Sequence, residues 1–183
     1  KEETLNQFFF ELGKRKCKSI IVAVMDMWGP FINSVKNNTN AEIVFDKFHI
    51  AKKVNEALDS IRKREFAKAD KEERINMKHK RFLMLYRSRN LDKEQKKDLN
   101  ELMDQNKKLY EAYLLKEQIL NVFDRRQKNV ALERLKSWKE NVQKSNIEEF
   151  RKVLKTIEHY WYGIENYFTH HVTNGASEGY NNK

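Results

Sequence analysis

Two short apolar runs, each closed by an aspartate, constrain this chain more than any other feature. The first, Ile20-Ile21-Val22-Ala23-Val24, is largely β-branched and leads through Met25 to Asp26. The second, Ile43-Val44-Phe45, leads directly to Asp46 and, three residues on, to His49. Continuous β-branched and aromatic runs of this length suit buried strands. Between them, Pro30 suits the first turn of a helix, and Phe31, Ile32 and Val35 give that helix an apolar face. Residues 37–40, Asn-Asn-Thr-Asn, read as a turn. A strand, helix, strand order needs a crossover, so it predicts a parallel pair with a right-handed connection. Both aspartates then fall at the carboxyl ends of strands, where open α/β sheets bind their ligands.

The rest of the chain reads as helix, and only five Gly and one Pro among 183 residues interrupt it. Residues 1–12 carry Leu5, Phe8, Phe9 and Leu12 at helical spacing, with Gly13 marking the end; residues 19–26 follow as the first strand and 42–46 form the second. A long helix is expected over 47–68, with Phe48, Ala51, Val54, Leu58 and Ile61 on its apolar stripe. The charged stretch 68–80 either continues or breaks it, and 81–88 reads as a short helix. Residues 91–120 give the strongest helical signal: Asp92 caps the start, and Leu99, Leu102, Met103, Leu109, Tyr110, Tyr113 and Leu114 recur at spacings of three and four. Residues 129–143 and 146–168 read as two more amphipathic helices, the latter ending in an aromatic cluster.

Composition bounds the function classes. Lys and Arg number 37 against 27 Asp and Glu, a formal net charge of +10. That balance predicts affinity for polyanions, nucleic acid first, although a solvated lysine-rich surface has the same composition. A single cysteine, Cys17, excludes an intramolecular disulfide and a zinc knuckle and fits a reducing cytoplasm. No run of about 18 apolar residues and no signal peptide is present, so no membrane partner is expected. The chain opens on Lys1 rather than Met and stops in what reads as the start of a helix, which predicts a piece of a longer protein.

Asp26 is the leading candidate for chemistry, because a carboxylate beside a buried strand needs a partner and a divalent metal is one. A cap on the following helix explains the same residue. Asp46 reads first as a cap of the 47–68 helix, and His49 first as a partly buried histidine one turn in. Glu178 falls in the first turn of a helix capped by Asn174 or Ser177, where the dipole favours a carboxylate. His79, His159, His170 and His171 lack metal spacing, with 170–171 placed in a loop; the aromatics at 160–168 and Met25, Met27 and Met84 read as packing.

Taken in order, these pieces resemble a family. Residues 22–65, with a strand ending in Asp-Met-Trp, a helix, then Phe-Asp-x-Phe-His before a long helix containing Asn-Glu-Ala, resemble the DDE-type transposases of bacterial insertion sequences, closest to the ISL3 group. The Asn-Leu at 90–91 and the Leu-x-x-Ala-Tyr-x-x-Lys-Glu of 109–117 resemble that group's helical insertion, and 173–183 its Asn-x-x-x-Glu-Gly-x-Asn-Asn-Lys segment. The resemblance implies an α-dominated α/β fold. Residues 1–46 would be a partial ribonuclease-H-like core of two parallel strands plus helices. Residues 47–170 would be a large all-helical insertion, and 171–183 the start of the C-terminal acidic helix. It implies a fragment of an enzyme that cleaves DNA and transfers strands with Mg²⁺ or Mn²⁺, two ions in the complete site. By motif Asp26 is the second catalytic and metal-binding carboxylate and Glu178 the third, with Asp46 and His49 supporting. The first catalytic Asp would lie upstream of Lys1, leaving the fragment inactive alone.

The implied partners are transposon-end and target DNA and further copies of the chain, in a bacterial cytoplasm at the nucleoid. On the 47–68 helix, Lys52, Lys53, Arg62, Lys63 and Arg64 are placed to meet phosphates, contacts that position a duplex without reading it. The alternatives are a non-catalytic DNA-binding or assembly module left from a degenerate transposase, and a helical scaffold whose charge is incidental.

Overall fold

The computed structural model describes residues 2–78 and 80–173. Two four-residue strands, β1 (Val22–Met25) and β2 (Glu42–Phe45), pair in parallel with Val22 opposite Glu42 and Met25 opposite Phe45. Their ladder is bounded by Glu42 N–H donating to Ile21 O at 2.8 Å and Asp46 N–H donating to Met25 O at 3.2 Å. The expected β-α-β order is therefore present, with β1 shorter than the apolar run: Ile21 is 77% exposed. Just before it, residues expected to lie between elements form a helix. α1 (Glu2–Leu12) ends at Gly13, whose φ of 83° is the left-handed backbone that glycine tolerates, and α2 (Lys14–Lys18) follows.

The chain divides into two compact units, one holding the residues up to Ile50 and from Ile157 onward, the other Ala51–Thr156. In the first, α3 (Gly29–Asn38) is the crossover helix, with Ile32 and Val35 buried. Asn6 of α1 accepts from Ser34 Oγ at 2.6 Å and from Asn38 Nδ2 at 2.9 Å, tying α1 to α3. Phe9 is the buried aromatic of α1, while Phe8, expected inward, is 52% exposed. α11 (Trp161–His170) lies along β2 and runs antiparallel to it. Its start meets Phe45, Asn166 Nδ2 donates to Ile43 O at 3.0 Å, and His170 Nε2 lies 2.6 Å from Glu42 Oε2. Alternate residues of a parallel strand turn their amides to opposite edges, so Asn166 satisfies a carbonyl on the β2 edge away from β1.

The helix α4 (Lys47–Lys68) has the bounds expected of it. Its buried stripe is Ile50, Val54, Ala57, Leu58 and Ile61; Phe48 is 53% exposed, so the stripe starts two residues later than the sequence reading placed it. In the second unit the charged stretch breaks. Asp70 forms a capping box with Glu73 and starts α5 (Lys71–Met77), and α6 (Arg81–Leu85) follows. The long signal at 91–120 is two helices, α7 (Lys93–Gln105) and α8 (Lys107–Phe123). Asp92 and Gln95 make the capping box of α7, and Asn106 separates the pair. Leu99, Leu102, Met103, Leu109 and Tyr113 are buried, whereas Tyr110 and Leu114 are exposed. α9 (Lys128–Ser145) packs on α8, with the buried Trp138 Nε1 donating to Leu115 O at 2.9 Å. The 146–168 signal also divides, at Tyr160, into α10 (Glu148–His159) and α11.

Candidate active site

The carboxyl ends of the two strands hold Asp26 and Asp46, and the two residues are used differently. Asp46 is 1% exposed, and its Oδ1 accepts the Phe48 N–H at 2.9 Å, an N-terminal cap on α4. Asp26 does not cap its neighbour. α3 begins after Trp28 with no side-chain cap, and a tight turn, Trp28 N–H to Asp26 O at 2.8 Å, separates the carboxylate from the helix. Its side chain is 49% exposed, and one oxygen contacts Nε2 of His49, itself 33% exposed. The α4 cap fixes the first turn that carries His49, whose N–H bonds Asp46 O at 3.1 Å. The sequence therefore folds two neighbouring strand ends into one arrangement: a buried aspartate anchors a helix, and the helix brings a histidine to the exposed aspartate.

A half-exposed carboxylate is a hard oxygen donor of the kind divalent cations take. Asp26 fits one arm of such a site, and His49 stands where it orients that carboxylate. Among the described residues no group of three or more His, Cys, Asp or Glu is placed to hold a metal. Glu178 lies outside the described residues, as do Asn174, Ser177 and His79. His170, placed in a loop by sequence, is the last residue of α11 and pairs with Glu42 at the opposite end of β2 from Asp26.

The five basic residues of α4 divide into two kinds. Lys52 and Lys53 are exposed, and Lys53 and Lys152 border a groove of about 270 Å³ with Glu56, Ser60 and Glu149. Arg62 and Lys63 both bond Asp59, at 2.9 and 3.1 Å, and Arg81 joins them at 3.2 Å. Burial alone would raise the Asp59 pKa; hydrogen bonds from Arg62 and Lys63 and the charges of Arg62 and Arg81 outweigh it and hold the carboxyl below its ordinary value. Arg64 donates to Glu149 from both terminal guanidinium nitrogens. Arg81 is the residue that sequence reasoning missed; only its place in a run of cations distinguished it.

A parallel strand pair with an uncapped aspartate at its carboxyl end, in a chain whose other described elements are helices, defines an α-dominated α/β protein. The transposase family of the ISL3 group matches residues 1–183, so the chain belongs to that family. It is 27% identical over 184 residues to the transposase for insertion sequence element IS1001 of Bordetella parapertussis. That alignment covers 98% of this chain and 45% of the relative, so the chain spans less than half of that protein's length. No solved structure matches the chain. No helix among the described residues is long and apolar enough to cross a membrane.

Proposed function

We propose that the chain carries the second and third acidic residues of a DDE-type active site, and that the whole protein cuts and joins DNA during insertion-sequence transposition. The observation that carries this reading is Asp26: exposed, spared from capping, and held at a strand's carboxyl end by His49. Residues 1–46 would belong to a ribonuclease-H-like core, 47–170 to a helical insertion, and 171–183 to the segment bringing Glu178 to Asp26. The chemistry that divalent ions, Mg²⁺ or Mn²⁺, supply between such carboxylates is activation of the attacking hydroxyl and stabilisation of the leaving oxygen.

The chain's own part is to present the ligands. Asp26 offers its oxygens at the sheet end, Glu178 completes the pair, and His49 fixes the rotamer of Asp26 through the short contact at Nε2. Asp46 acts one step further back by holding the first turn of α4. The positive balance of +10 keeps duplex DNA against the helical part, with Lys52, Lys53, Arg62, Lys63 and Arg64 contributing and with an affinity that falls steeply as salt rises. The working complex would contain several copies, in the bacterial cytoplasm at the nucleoid.

The test uses the full-length transposase containing this chain and a labelled element end as substrate. Asp26→Ala and Glu178→Ala abolish metal-dependent cleavage and leave DNA affinity unchanged, while His49→Ala lowers cleavage or metal affinity about 10–100-fold. Cleavage by Asp26→Ala at the native rate overturns the assignment. Native protein that binds DNA without cutting it identifies a non-catalytic module instead.

A further inference from the structure

The second unit carries a surface that the candidate active site does not use. From Arg74 to Leu91 the chain contains six cationic side chains, Arg74, Lys78, Lys80, Arg81, Arg87 and Arg89, and no Asp or Glu. Two large aromatics lie exposed within that stretch: Phe82 at 59% and Tyr86 at 52%. Their ring centroids are 6.2 Å apart with a tilt of 37°, and the Arg81 guanidinium sits 5.8 Å from the Phe82 ring.

The backbone beneath these rings is fixed. Lys116 is fully buried, and its Nζ donates to Met84 O at 2.8 Å and to Tyr86 O while pairing with Glu117 at 2.8 Å. Glu117 also accepts from the Ser88 N–H at 3.3 Å. Arg87 donates to Asn121 and Asp124 at 2.9 and 3.0 Å, and Arg89 to Asp124 at 2.9 Å. Lys116 and Glu117 are the Lys-Glu of the 109–117 pattern, so the pattern has a physical meaning: it clamps the segment that displays Phe82 and Tyr86.

We propose that Phe82 and Tyr86 form a stacking platform for unpaired bases of single-stranded DNA, with Arg81 and Arg89, each paired with one carboxylate yet at least half exposed, turning their remaining N–H groups to its phosphates. The proposal rests on the reading of DNA as this protein's substrate and adds a strand form that the reading does not name. Every base has a π-face, so exposed aromatics among cations bind single strands with little sequence preference. The 6.2 Å separation exceeds the ~3.4 Å rise of a stacked strand, so the two rings suit successive unstacked bases. The six cations of this segment outnumber the carboxylates they meet, Asp59, Glu117 and Asp124, so the setting stays net positive and selects a polyanion over an apolar protein face. Fixing the backbone in advance cuts the ordering cost of binding.

Fluorescence anisotropy of the full chain with a labelled thymidine oligonucleotide, and with the same sequence as duplex, tests this. Phe82→Ala and Tyr86→Ala each weaken single-strand binding on the order of tenfold. They leave duplex affinity and the salt slope unchanged, and Tyr86→Phe, which keeps its ring, binds like the native chain. Should an alanine variant misfold by circular dichroism, Phe82→Leu and Tyr86→Leu keep the apolar bulk, lose the π-face and carry the same expectation. Folded variants that bind the single strand as well as the native chain overturn the platform, as does an equal loss on duplex. A change in oligomeric state marks a protein interface and overturns it too. Native chain that binds duplex but no single strand refutes the platform and leaves the substrate reading standing; binding of neither refutes both.

Discussion

Replacing Gly163 with alanine tests how α11 is seated on the sheet. A Cβ built at Gly163 would lie 2.4 Å from Cδ2, 2.6 Å from Cε2 and 3.1 Å from Cγ of Phe45. Carbon atoms in contact want about 3.5–4.0 Å, so the overlap exceeds 1 Å at the nearest atom. The ring is poorly able to yield. Phe45 is 1% exposed and held edge-on between Tyr160 at 5.2 Å and Tyr162 at 5.4 Å. Relief must come from α11 backing off β2, a misfit of the kind that costs about 1–3 kcal/mol. Alanine's better helix propensity returns at most about 1 kcal/mol. The internal control is Gly29, which opens α3 and has nothing within 4 Å of its would-be Cβ. Gly163→Ala should lower the urea midpoint followed by circular dichroism; Gly29→Ala should leave it unchanged or raise it. Phe45→Leu in the Gly163→Ala background should recover part of the loss. A Gly163→Ala protein as stable as the Gly29→Ala protein would refute the close seating of helix on strand.

Two further outcomes follow from the second unit. Lys116→Met should cost about 3 kcal/mol, because Met84 O, Tyr86 O and Glu117 all lose their cation, and amide exchange over 84–90 should quicken. Burial lowers the Lys116 pKa ahead of the opposing effect of Glu117. Just below its ordinary 10.5 the unfolded chain thus holds the extra proton, and this residue's contribution to stability rises with pH there. Asp59 has the opposite dependence: its folded pKa lies below 3.8, so its stabilising contribution is complete above that value and is lost as pH falls through the folded pKa. Asp59→Asn should destabilise the protein by about 2 kcal/mol at neutral pH and flatten the acid limb of an unfolding titration.

Several local signals were read correctly. The β-branched runs gave the parallel pair, Asp92 gave the start of α7, and the bounds of α4 fell at 47 and 68. The divisions at Asn106 and Tyr160 escaped notice because neither residue is Gly or Pro, and periodicity carries on across both. Phe48 was assigned to the core because it continues the three- and four-residue spacing of Ala51, Val54, Leu58 and Ile61; its place in the first turn of α4, on the far side from Ile50 and Val54, leaves it in water. At the candidate site, sequence left cap or ligand open for both aspartates. The hydrogen bonds separate them: Asp46 accepts from the helix that follows it, and Asp26 does not. That Lys116 is buried was unreadable, because a lysine four residues past Ala112 reads as a solvated one until the carbonyls of a distant segment are seen to enclose it.

Asn106 closes α7 and opens α8 by itself: its N–H bonds Met103 O at 3.3 Å, and its Oδ1 accepts the Leu109 N–H at 2.9 Å. A joint of one residue has no slack. One residue added or removed there turns the following helix by about 100° and shifts it by about 1.5 Å, carrying Lys116 away from the carbonyls it holds. Exchanging the exposed side chains of these two helices leaves that spacing intact, whereas an insertion or deletion between Asp92 and Lys116 breaks it: in this stretch the length of the chain, more than the identity of its surface residues, positions the buried cation.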